Sequence, residues 1–220
     1  MNQLNPKLNG FTLVELLVVV TILSLVTSWS APSFLRKVWQ GEVDRYTQTV
    51  EAGMLKLMRK LGTTRSSCTL TFPVSKSFQP TWDILEFQQP NGSSATNTRM
   101  ECCNSDFATA NLDEGCLNNL DPLFPPTFRL IQREGSSDRT NVEVAVSQSS
   151  YSLTPPGTSA ETGNLTFRIR SLKQMDPAML KGDGSNRLVE RCIEISGTGN
   201  LMRGKWLNNQ CIEEKLIEIT

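Results

Sequence analysis

FTLVELLVVVTILSLVTSWSA, residues 11–31, carries one charged side chain, Glu15, in 21 positions. As an α-helix it is about 31 Å long at roughly 1.5 Å per residue, close to the thickness of a bilayer's hydrocarbon core. A polar leader, residues 1–10, precedes it with Lys7 as its only charged side chain. Residues 11–31 are therefore a candidate membrane span. The competing reading is a secretory signal peptide cut near Ser30 and Ala31. Two features weigh against that. A carboxylate in the apolar run costs about 2.5–3.5 kcal/mol on insertion scales, an odd feature for a disposable signal. The helical pattern also continues past the cut. After Pro32 the apolar residues fall at Leu35, Val38, Trp39, Val43, Tyr46, Val50, Met54, Leu57, Met58 and Leu61, the steps of three and four of an amphipathic helix. Lys7 lies on one flank of the span and Arg36 and Lys37 on the other, so loop charge does not orient it.

The 220 residues are 38% hydrophobic and 20% charged, with zero formal net charge. That is the composition of a folded protein, neither disordered nor a general polyanion binder. Histidine is absent, which removes Ser-His-Asp and Cys-His nucleophile systems and imidazole-dependent zinc sites. Without it, catalysis needs paired carboxylates or a reactive cysteine, and no spacing singles any out, so the chain reads as a non-enzyme. Six cysteines, Cys68, Cys102, Cys103, Cys116, Cys192 and Cys211, all follow the apolar segment and point to an oxidising compartment.

Gly10-Phe11-Thr12-Leu13-Val14-Glu15 resembles the class III signal of type IV pilins and type II secretion pseudopilins: a short polar leader ending in Gly, then Phe, then an apolar helix with Glu as its fifth residue. Pro32, early in that helix, is similar to the family as a kink point. The resemblance implies that a prepilin peptidase cuts between Gly10 and Phe11 and that the new Phe11 amine is N-methylated. It also implies that Glu15, expensive in hydrocarbon unless paired, meets the amine of a neighbouring subunit and sets the register of a helical filament. The fold it implies is α+β and pilin-like, a long N-terminal helix packed on an antiparallel sheet. The segment Arg191-Cys192-Ile193-Glu194-Ile195-Ser196 running to Gly199 and Arg203 resembles the C-terminal strands of GspH/FimT-type minor pseudopilins.

The organisation expected is a cleaved leader over residues 1–10, a transmembrane or filament-core helix over 11–31, an amphipathic continuation over 32–62, and a disulfide-containing, β-rich head over 63–220. Gly62-Thr63-Thr64 reads as the helix stop, with Pro32 and Gly41 as bend points. Strands are expected at residues 127–131, 142–146, 165–169, 187–195 and 211–219, separated by Gly-, Pro- and Asn-rich turns. Residues 91–98 and 148–164, rich in Ser and Thr, read as surface loops.

Cys192 and Cys211 flank a turn-rich stretch between two candidate strands and are expected to pair. The adjacent Cys102 and Cys103 are expected to reach Cys68 and Cys116; a four-cysteine zinc site is the alternative, against which the adjacent pair lacks the usual spacing. Gly182-Asp183-Gly184-Ser185-Asn186 offers oxygens for calcium, but a tight turn explains it without a metal, so no metal or cofactor is expected. Charge is uneven. Residues 65–164 hold 6 basic and 11 acidic side chains, whereas residues 165–205 hold 8 basic and 4 acidic. Arg168, Arg170, Lys173, Arg191, Arg203 and Lys205 form a candidate phosphate-binding strip near Trp206, with a solvated sheet face as the plainer explanation.

Two functions follow. The first is a structural, minor subunit of a type IV pilus or type II secretion pseudopilus, with prepilin peptidase and other subunits as partners. Before assembly it would sit in the inner membrane with a single pass and a periplasmic or extracellular head. The second is a DNA-binding minor pilin in transformation, using the basic strip.

Overall fold

The chain is described from a computed structural model over residues 12–72, 77–81, 86–88, 98–104, 127–129, 141–155, 157–159, 163–182 and 184–214. The leader, Phe11, Cys116, the loop at 91–97 and the turn at 135–138 lie outside these residues.

Helix α1 is Leu13–Thr64, with Pro32 inside it. Two compact units divide the chain, Met1–Val38 and Trp39–Thr220. In the first unit the described apolar side chains are uncovered on every side of the helix, from Leu13 at 79% to Val38 at 41% exposed. Its hydroxyl groups fold back on the backbone: Thr21 donates to the Val18 carbonyl, Ser24 to Thr21, Thr27 to Leu23, and Ser28 to Ser24. These bonds satisfy the polar atoms internally. The helix bends at residue 29, between Leu13–Ser28 and Ser30–Thr64. Pro32 lies four positions after Ser28, and its ring has no N–H for the Ser28 carbonyl. Among the described residues no single helix is long and apolar enough to cross a membrane, but this bent pair meets both criteria together.

In the second unit α1 turns an apolar stripe onto sheet. Val43, Val50, Met54, Leu57 and Leu61 are all buried, at spacings that keep one helical face inward. The expected stripe began earlier, but Leu35 and Val38 stay exposed because they precede the first turn of this unit. The helix ends within its expected stop, at Thr64. Gly62 remains helical and the chain leaves at Arg65, a non-glycine residue at φ 55°. The Thr63 and Thr64 hydroxyls both donate to the Lys60 carbonyl and help satisfy the last turn.

Twelve strands are described: β1 Ser66–Thr71, β2 Gln79–Pro80, β3 Glu86–Gln88, β4 Thr98–Asn104, β5 Thr127–Arg129, β6 Val142–Val146, β7 Ser150–Thr154, β8 Thr158–Ser159, β9 Leu165–Ser171, β10 Arg191–Ile195, β11 Leu201–Leu207 and β12 Gln210–Glu213. They form two six-stranded sheets, β5-β3-β4-β1-β7-β8 and β12-β11-β10-β9-β6-β2. Pairing is antiparallel except between β3 and β4. The fold is thus α+β and pilin-like, a long N-terminal helix on antiparallel sheet. One apolar cluster joins the helix stripe to Leu70, Met100, Tyr151 and Leu153 of the first sheet and Val144, Phe167, Ile169 and Ile193 of the second. Full burial of each such side chain contributes roughly 1.5–3 kcal/mol. The sheets also meet directly: the Tyr151 hydroxyl donates to the Ile195 carbonyl at 3.4 Å, and Phe72 packs edge-on against Phe167 at 5.8 Å.

The stretch 148–164 is not all surface loop. It contains β7 and β8, and Tyr151 and Leu153 are fully buried. Residues 187–190 are not strand; β10 begins at Arg191.

Candidate functional site

The polar feature of the first unit is at its start. The Thr12 side chain and Glu15 form a reciprocal pair. Glu15 Oε2 accepts from the Thr12 backbone N–H at 3.0 Å and from Thr12 Oγ1 at 2.9 Å, while the Glu15 N–H donates to Thr12 Oγ1 at 3.3 Å. This is a capping box, worth about 1 kcal/mol to the helix end. The sequence reading assigned Glu15 to a neighbour's amine and missed the local partner, although Thr-x-x-Glu before an apolar run is its signal. The carboxylate therefore has two hydrogen bonds from its own chain. Gly10 and Phe11 precede the described residues. Beyond Glu15 the segment presents apolar side chains all round with its hydroxyls turned inward, a surface suited to lipid or to packed helices.

The head is held by crosslinks. Cys68 on β1 and Cys102 on β4 are bonded and stand opposite each other in register. Cys103 is also disulfide-bonded; it faces the other side of β4, half-exposed where Cys102 is buried, as strand alternation requires. Among the described residues no cysteine is free and no cluster of acidic or cysteine side chains is placed to hold a metal. Cys192 on β10 and Cys211 on β12 are bonded with Cα atoms 5.7 Å apart. Strand β11 lies between them, with Gly204 opposite Cys192. A Cβ at Gly204 would fall on the Ile212 carbonyl, so only glycine lets β12 close over this point.

Residues 181–182 and 184–186 have the geometry of a tight turn. Gly184 has φ 79°, and the Lys181 N–H donates to the Ser185 carbonyl at 2.8 Å. Both ends of the Asn186 amide are engaged, donating to the Gln174 carbonyl and accepting from the Leu188 N–H.

The basic strip is not a bare cationic face. Arg168 pairs with Glu190, Arg170 with Glu143, Arg191 with Asp44 and Glu214, Arg203 with Glu51, and Lys205 with Glu214. The Arg168 guanidinium also lies 4.6 Å from the Trp206 ring centroid, and Arg170 lies 3.6 Å from Phe78. Lys173 stands apart, 6.0 Å from the Trp39 ring. Partial burial disfavours the Arg191 charge, but the hydrogen bond and charge of Asp44, with Glu214, outweigh it and raise its pKa. The hydrogen bond from Lys205, then the Arg191 charge, hold Glu214 below the ordinary carboxylate value against some desolvation. Five of the six proposed phosphate ligands are thus committed to carboxylates, and the DNA-binding alternative gains no support. Those residues instead brace the helix and the C-terminal strands: Asp44 and Glu51 are on α1, while their partners are on β10 and β11.

Residues 6–31 match the family described as "Prokaryotic N-terminal methylation motif". Among solved structures, the type IV minor pilin FimU of Pseudomonas aeruginosa (strain PAO1) is similar at 13% identity and a TM-score of 0.36, over 80% of this chain and 94% of that one. None of the curated proteins compared matches the chain.

Proposed function

We propose that this type IV pilin-like chain is a minor structural subunit of a pilus or a secretion pseudopilus. In this reading a prepilin peptidase removes residues 1–10, the Phe11 amine is methylated, and the apolar part of α1 holds the subunit in the inner membrane by a single pass. The head stands on the periplasmic or outer side, where its disulfides are stable. The helix then leaves lipid for a bundle of like helices in the filament. One observation carries the reading: a methylation motif over residues 6–31 leads into a helix whose apolar side chains stay uncovered by the chain itself. The large, disulfide-bonded head favours a minor over a major subunit.

Glu15 has a defined part in this scheme. Its capping box with Thr12 stabilises the helix end in the lone subunit, and a neighbour's amine replaces or joins that partner on assembly. Glu15→Ala removes both, leaving an amine to be buried without its counter-charge at a cost of a few kcal/mol. The test compares wild type and Glu15→Ala by intact mass and by subunit content of sheared filaments. Both proteins start at methylated Phe11, and the variant stays in the membrane fraction. A mature start near Ala31, or equal incorporation of the two proteins, refutes the scheme.

A further inference from the structure

The segment joining β9 to β10 leaves apolar side chains in solvent although it is firmly built. Two short 3-10 turns, Leu172–Met175 and Pro177–Met179, are capped by Ser171 and by Asp176, whose carboxylate accepts from the Ala178 N–H. The Arg187 N–H donates to the Met179 carbonyl, Leu180 bridges Asn186, and the Asn186 side chain donates to the Gln174 carbonyl. Gln40 fixes this segment to α1 by bonding both the N–H and the carbonyl of Val189, at 2.8 and 3.2 Å. Yet Leu172 is 45%, Met175 69% and Leu180 48% exposed. Lys173, Lys181 and Arg187 lie in the same segment, exposed, as does Asp176, and none of the three cations makes an ion pair with a described residue, unlike the cations of the neighbouring strands.

We infer that this 172–187 segment is a membrane-surface foot, seating Leu172, Met175 and Leu180 among the headgroups of an anionic bilayer with Lys173, Lys181 and Arg187 on the phosphates. The inference rests on the proposed membrane anchoring. Two further observations place lipid there rather than another protein. Trp39 and Gln40, which contact this segment through Lys173 and Val189, are the first two residues of the head unit, so the segment is held to the part of the head that follows the anchor directly in the chain. About 25 helical residues cross roughly 30 Å of hydrocarbon and one headgroup layer; counted from residue 11 they end near residue 35, one turn before Trp39. The composition is also interfacial: exposed aliphatic and thioether side chains interspersed with long cations, with the Trp39 ring 6.0 Å from Lys173. Each cation near an anionic surface strengthens contact about fivefold.

The test is hydrogen exchange of the full-length chain in nanodiscs of phosphatidylcholine, with and without phosphatidylglycerol. Amides of residues 172–180 are expected to exchange at least about fivefold more slowly in the anionic discs. Lys173→Glu combined with Lys181→Glu removes that difference, and Met175→Glu removes the protection in both discs, while β9 and β10 exchange as in wild type. Equal exchange at 172–180 in both discs and in the variants, with residues 13–38 still protected, overturns the foot and leaves the anchor standing. Loss of protection at 13–38 overturns both. Protection of 172–180 only in filaments assigns the patch to a neighbouring subunit and overturns the lipid contact.

Discussion

Leu57 and Leu17 are the same side chain on one helix in opposite circumstances. Leu57 is fully buried against both sheets, and Leu17 is 58% exposed. Leu57→Ala removes apolar atoms from a packed site and leaves a cavity, a change that costs about 2–5 kcal/mol. For a head of this size each kcal/mol shifts Tm by roughly 2–4 °C, so a mid-range loss of about 3 kcal/mol lowers it by roughly 6–12 °C. Leu17→Ala touches no packed neighbour within the chain and leaves the head's Tm within about 1 °C. The assay is thermal unfolding of the full chain in detergent followed by near-ultraviolet circular dichroism, beside a measure of incorporation into filaments. The order reverses there: Leu17→Ala impairs incorporation more than head stability. A fall of several degrees for Leu17→Ala, or of less than about 2 °C for Leu57→Ala, refutes the division of α1 into a part packed by its own chain and a part reserved for another environment.

Replacing Cys192 and Cys211 together by Ser opens a crosslink between residues 19 apart and lowers stability by about 3 kcal/mol, read from the urea midpoint. Gly204→Ala sets a methyl group against the Ile212 backbone carbonyl, which cannot yield as a flexible side chain does; free-thiol titration should find Cys192 and Cys211 incompletely oxidised. Glu214 has a folded pKa below its ordinary 4.5, so its contribution is complete above that value and is lost as pH falls through the lowered one. Because the group is largely solvated the effect is well under about 1 kcal/mol, and Glu214→Gln lowers the urea midpoint slightly near neutrality, matches wild type once pH has fallen below the lowered value, and so flattens the acid limb.

The sequence shows strongly periodic elements best. The apolar run and the stripe from Val43 to Leu61 are plain because many residues repeat one helical period, and β6 and β9 alternate cleanly. Strand β7, Ser-Tyr-Ser-Leu-Thr, offers only two apolar residues among hydroxyls; its place in the core comes from β1 on one side and β8 on the other, partners that no local window contains. The helix end is legible in Gly62-Thr63-Thr64, since α1 stops at Thr64, but no local signal says that the left-handed turn falls on Arg65 and not on Gly62. The charge pattern misled for a related reason. Composition over residues 165–205 counts the cations, but Asp44, Glu51 and Glu143, which neutralise three of them, lie elsewhere in the sequence.

The junction of α1 and β1 has a mechanical meaning. Arg65 alone separates Thr64 from Ser66, and β1 is an interior strand, bonded to β4 on one side and β7 on the other. Residues 39–64 of α1 are already held to the sheets by the buried stripe and by the Asp44–Arg191 and Glu51–Arg203 pairs, so load on a subunit held by its helix reaches Arg65 and β1 only once that packing has given way. The strand cannot be peeled from an edge; it must slide past two antiparallel ladders at once, breaking many hydrogen bonds together. The Cys68–Cys102 bond adds a covalent stop on the β4 side. The helix packing and the two β1 ladders therefore resist tension in series, and β1 is the later of the two to be loaded.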